Sequence, residues 1–89
     1  MDLNDYRREI DKIDSELVRL FQERMDIAAH IADYKKEKGL PILQPAREQE
    51  KLQALSALCR EDLQPYLTEL YTVLFRLSRD YQAQSTEGI

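Results

Sequence analysis

Residues 3–39 read LNDYRREIDKIDSELVRLFQERMDIAAHIADYKKEKG. Apolar side chains fall at Leu3, Tyr6, Ile10, Ile13, Leu17, Leu20, Ile27, Ile31 and Tyr34. After the first step of three, the spacings alternate four and three, a heptad-like period that belongs to a helix. No proline or glycine interrupts residues 5–38, and Asn4 offers an N-cap. Gly39, followed by Leu40-Pro41, is a stop signal. The pattern predicts one uninterrupted helix over residues 5–38, roughly 50 Å long at about 1.5 Å per residue.

Two shorter helices follow. Gly39 to Gln44 reads as a linker, and Pro45 suits the first position of a helix whose apolar face carries Leu52, Leu55 and Leu58 or Cys59. A break is expected near residues 60–64, with Pro65 again at a helix start. The third helix carries Leu67, Leu70, Leu74, Leu77 and Tyr81, and its polar end, residues 83–89, is expected to fray. No segment alternates with period two. The fold class is all-α, a single domain over residues 1–89 with helices long, short and medium in length.

Composition excludes several functions. The chain has 89 residues, a net charge of −4, two glycines, one histidine and one cysteine. With glycine only at positions 39 and 88, neither a P-loop nor a dinucleotide fingerprint can be written. His30 alone supports neither a histidine metal site nor a His–Ser relay, and it reads as a surface partner of Asp26. Cys59 cannot form an internal disulfide and reads as a small core residue in a reducing compartment. No apolar run is long enough to span a membrane and the N-terminus opens acidic, so the expectation is a cytoplasmic protein without membrane partners. The acidic total disfavours a general nucleic-acid binder.

Size and shape then conflict. A compact domain of this length has a radius of gyration near 12 Å, too small to cover a ~50 Å helix. Either a second copy covers the remaining stripe in a two-fold dimer, or the first helix bends or breaks in a monomer.

The polar interruptions of the stripes are the informative positions. The series 13, 17, 20, 24, 27, 31 places Arg24 where an apolar residue belongs, and a guanidinium on a core seam requires an anion, from protein or ligand. Glu48, on the second helix's apolar series 48, 52, 55, 59, is a possible protein partner. Lys35 lies eleven residues beyond Arg24 on the same side, ~16 Å along the axis, so both could reach one small ligand. On the third helix Tyr71, Phe75, Ser78 and Gln82 form a stripe that turns polar, and Ser78 and Gln82 converge on one patch. Arg7 lies ~25 Å from Arg24 along the helix. It can join that group only across an antiparallel pair of long helices.

Taken together, Tyr6-Arg7 before Ile10, Glu23-Arg24, Lys35, Pro41, Arg47-Glu48, and Ser78 with Gln82 resemble the all-helical chorismate mutases, from about Leu3 to Gln82. The resemblance implies an intertwined homodimer whose active sites are each completed by an arginine of the other subunit. It implies conversion of chorismate to prephenate, an intramolecular Claisen rearrangement in phenylalanine and tyrosine biosynthesis, with no cofactor and no metal. Carried over, Arg24 and the partner subunit's Arg7 hold the two substrate carboxylates, and Lys35 bridges a carboxylate and the ether oxygen. Gln82 donates to that oxygen, Glu48 accepts from the ring hydroxyl, Ser78 assists a carboxylate, and Arg47 adds nearby contacts. Lys35, Gln82 and Arg24 are the catalytic candidates. Gln44 stands where related mutases commonly carry an aspartate, which leaves its own contact open. Gln82 stands where some relatives carry glutamate. The same resemblance admits an isochorismate pyruvate-lyase of this fold, or a mutase module of a longer enzyme. A non-enzymatic helical dimerisation module is the contrasting class, and Arg24 on the seam argues against it.

Overall fold

The computed structural model describes the backbone of residues 1–87 and the side chains of residues 1–84. The chain folds as α1 (Leu3–Lys38), α2 (Pro45–Leu58), a single 3-10 turn (Glu61–Leu63) and α3 (Gln64–Glu87), with no strand among the described residues. Helix α1 has 36 residues and is unbroken, so the long apolar stripe lies on one continuous helix. Its start differs from expectation. Asp2, not Asn4, is the N-cap: its side chain accepts from the Asp5 backbone N–H at 2.9 Å, and the Asp5 carboxylate accepts from the Asp2 N–H at 3.0 Å. This reciprocal pair satisfies two otherwise orphaned donors, which one capping Asn4 could not do. At the other end Gly39 adopts φ 70°, the left-handed region that glycine enters without steric cost.

Gln44 precedes α2 without a side-chain capping bond, and Pro45 occupies the first turn where its missing N–H costs nothing. The α2 end is closed from outside. Gln64 Nε2 donates to the carbonyls of Ser56 and Cys59 at 2.8 and 3.1 Å, satisfying C-terminal acceptors that the helix leaves open. Cys59 is half-buried and is the C-cap of α2, while Leu58 points outward at 85% exposure. His30 is exposed, and no ion pair joins it to Asp26 among the described residues. Helix α3 continues through Glu87, past residue 83 where composition predicts fraying. Gly88 and Ile89 lie outside the described residues.

The intrachain core differs most from the sequence pattern. Helix α3 lies against α1 through Ala28, Ala32, Phe75, Ser78 and Gln82, the five buried residues among those described. Two alanines let the helix backbones approach closely. The long heptad stripe does not form this contact. Ile10, Ile13, Leu17 and Ile27 remain 56%, 59%, 56% and 58% exposed. The molecule is accordingly extended, 54 × 29 × 15 Å with a radius of gyration of 16.2 Å. Its accessible surface of 7183 Å² exceeds the roughly 5400 Å² expected of a compact chain of this mass.

Candidate active site

Among the described residues the buried polar side chains, Ser78 and Gln82, mark the site: the stripe of α3 that turns polar is buried more deeply against α1 than the leucine seam, of which Leu70 and Leu74 share an open cleft with Leu17 and Leu20. Two clefts open around them. One, of about 140 Å³, is lined from α1 by Ile31 and Lys35, from the linker and α2 by Ile42, Gln44, Arg47 and Glu48, and from α3 by Phe75, Ser78, Arg79 and Gln82. The other, of about 380 Å³, adds Arg24, Ile27, Ala28 and Lys51. Both share Ile31, Ser78 and Gln82, so Arg24 and Lys35 approach one groove from its opposite ends.

Each donor is held by a short contact. Arg24 Nη1 donates to Ser78 Oγ at 2.7 Å and its guanidinium lies 5.8 Å from the Phe75 ring centroid, a cation–π distance. The seam arginine therefore meets a neutral hydroxyl and a ring face, and not the Glu48 carboxylate. Lys35 sits in the last turn of α1, where the helix dipole favours a cation, and its Nζ donates to the Ile42 carbonyl at 3.2 Å. Gln82 Nε2 donates to the Ala28 carbonyl at 2.9 Å. That bond fixes the amide with nitrogen toward α1.

Glu48 is paired instead with Arg79, whose Nη1 lies 2.5 Å from both carboxylate oxygens. Arg79 was not legible in the sequence. It stands off the apolar series of α3 and 31 residues from its partner, and its place beside Ser78, three before Gln82, was the only available signal. With Glu48 neutralised, Lys35, Arg47 and Arg24 leave the groove cationic. Arg47 is exposed at its rim, and Gln44 is half-buried at the cleft wall. Arg7 is exposed on the first turns of α1 and lines neither cleft. The structure thus brings together seven of the eight sequence candidates and leaves Arg7 apart.

A bundle of this topology, with cations and neutral donors lining a groove between α1 and α3, defines an all-helical domain with one polar groove as its candidate site. Residues 6–83 match the family chorismate mutase type II, and the chain belongs to that family. It is similar to the chorismate mutase of Methanocaldococcus jannaschii, 36% identical over 59 residues that cover 66% of this chain and 60% of that protein. It is also similar to the bifunctional chorismate mutase/prephenate dehydratase of Aquifex aeolicus, 40% identical over 60 residues, covering 67% of this chain and 17% of that protein. The T-protein of Haemophilus influenzae is 44% identical over 52 residues, 58% of this chain and 14% of that protein. The chain therefore spans less than two thirds of each of these relatives. No solved structure matches it significantly.

Proposed function

We propose that the protein is a chorismate mutase, an isomerase that rearranges chorismate to prephenate. The observation that carries this reading is the joint placement of Lys35 and Gln82 on one cleft from two different helices, each already oriented by a backbone carbonyl. In the rearrangement one carbon–oxygen bond breaks as a carbon–carbon bond forms, and negative charge grows on the departing ether oxygen. Donors fixed in advance at that oxygen lower the barrier without any reorganisation at the moment of reaction. Lys35 and Gln82 fill that role. Arg24 takes one substrate carboxylate together with Ser78, and Arg47 assists from the rim, since guanidinium forks fit carboxylates. Glu48 accepts from the ring hydroxyl. Gln44 contributes to the wall. Holding both ends of the substrate selects its compact conformer, in which the reacting carbons are close.

The second carboxylate is assigned to Arg7 of the partner subunit in an intertwined homodimer. The exposed α1 stripe supports this arrangement. Covering a half-exposed leucine or isoleucine gains on the order of 1 kcal/mol, and the stripe repeats along most of a 36-residue helix. A second copy is the economical cover, and an antiparallel pairing carries Arg7 to the other groove.

Steady-state turnover of chorismate by Lys35→Ala tests the site. Loss of one such donor costs about 3 kcal/mol, so kcat/KM should fall about a hundredfold. The melting temperature should fall by less than about 8 °C, since only the bond to the Ile42 carbonyl is lost from the fold. A variant with near-normal kcat/KM refutes the role given to Lys35.

A further inference from the structure

Arg79 belongs to neither the apolar seam nor the groups assigned to substrate above, yet it makes an ion pair that joins α3 to α2. Its Nη1 stands 2.5 Å from both Glu48 oxygens, and the two side chains are 29% and 28% exposed. Both line the cleft that holds Lys35 and Arg47. Both residues also line a second cleft, with Leu52 and Thr72, so the pair forms part of the wall between the two clefts.

A carboxylate in a groove meant for a dianion presents a physical problem. Unpaired, it would repel the ligand, and it would compete with the ligand for Lys35 and Arg47. A guanidinium paired with it removes both effects. A carboxylate offers about four acceptor positions, so pairing with one nitrogen leaves acceptor capacity on the ligand side. We infer that Arg79 is a positioning residue: it holds Glu48 oriented as the acceptor for a ligand hydroxyl, and it cancels the Glu48 charge toward an anionic ligand. This rests on the chorismate mutase reading.

The ring hydroxyl is not part of the breaking bond. The contact is therefore the same in ground and transition states, and its loss should appear in KM, not kcat. Chorismate kinetics on wild type, Arg79→Gln, Arg79→Lys, Glu48→Gln and the Glu48→Gln double variants read this directly. Arg79→Gln should raise KM roughly tenfold or more, the range of a charged hydrogen bond, with kcat within about threefold. Arg79→Lys should restore most of the loss. With Glu48→Gln already present, Arg79→Gln should raise KM no further. A KM within about twofold of wild type for Arg79→Gln overturns the inference, as does a fall confined to kcat. Multiplying effects in the double variant overturn it too, since Arg79 would then touch the ligand itself. Where Arg79→Gln does not fold, Arg79→Lys carries the test: it must be silent beside Glu48→Gln, and a further rise in KM there is contrary. A wild type that leaves chorismate unchanged defeats the mutase reading and this inference with it; an active wild type with additive variants defeats the inference alone.

Discussion

Replacing Gln82 by glutamate changes one atom's chemistry and almost no volume, in a side chain only 7% exposed. The amide nitrogen donates to the Ala28 carbonyl at 2.9 Å, and under the proposed function it is also the donor to the substrate's ether oxygen. An ionised carboxylate at that place donates nothing and sets oxygen against the Ala28 oxygen. Burial and that carbonyl both disfavour the charged form, so the new carboxyl titrates above its ordinary value of about 4.3. The sign follows. Above that ordinary value the unfolded chain binds fewer protons here than the folded one, so stability falls as pH rises. Each pH unit by which the folded titration point is raised removes about 1.4 kcal/mol at neutral pH. Activity moves the same way. At neutral pH one donor is lost, about 3 kcal/mol or a hundredfold in kcat/KM. Toward acid the protonated carboxyl regains a single O–H, so rate recovers but stays below wild type. The assay is the disappearance of chorismate, followed across pH for Gln82→Glu and wild type in parallel. Wild type should show no such acid limb from this position, because an amide does not titrate there. Profiles of the same shape would refute the donor role of Gln82.

Three further outcomes are expected. Arg24→Leu should cut kcat/KM at least about a hundredfold while leaving chemical stability unchanged or higher, because the side chain also borders an apolar cleft of Leu17, Leu20, Phe21, Leu70 and Leu74; a clearly less stable variant in urea would contradict this. Arg7→Ala and Arg24→Ala should each be nearly inactive alone, yet regain roughly a quarter of wild-type turnover when refolded together, since random two-fold pairing restores one complete site in half of the dimers; no recovery on mixing would remove Arg7 from the partner's site. Ala32→Leu should destabilise by about 1–3 kcal/mol, because Ala32 is 1% exposed at the approach of α3; an unchanged urea midpoint would show that the helices are not in tight contact there.

The helices were legible because their signals are local. Period and punctuation marked α1 to Lys38, the turn at Gly39 and the start at Pro45, and only the cap was displaced, from Asn4 to Asp2. The packing was legible less directly. A heptad stripe names a face to be buried but not what buries it, and within one chain α1 and α3 meet through Ala28, Ala32 and Phe75 instead. Small residues carry a weak signal in a hydrophobic pattern, although close backbone approach depends on them. The site showed itself where polarity broke the pattern. Arg24, Ser78 and Gln82 were visible for that reason, and they do meet around one groove. Of the two anions open to Arg24, the protein carboxylate Glu48 is not its partner, because Arg79 pairs with Glu48 and Ser78 meets Arg24. Such pairings depend on the rotation of α3 about its axis, which no single-helix pattern fixes.

The central claim is that this 89-residue chain performs the rearrangement itself. The most direct measurement incubates the purified protein with chorismate, and in parallel with isochorismate, and identifies the products. Chorismate should yield prephenate, with no pyruvate released. Pyruvate from isochorismate with chorismate untouched would assign the groove to elimination chemistry, and inactivity on both would contradict the enzymatic reading.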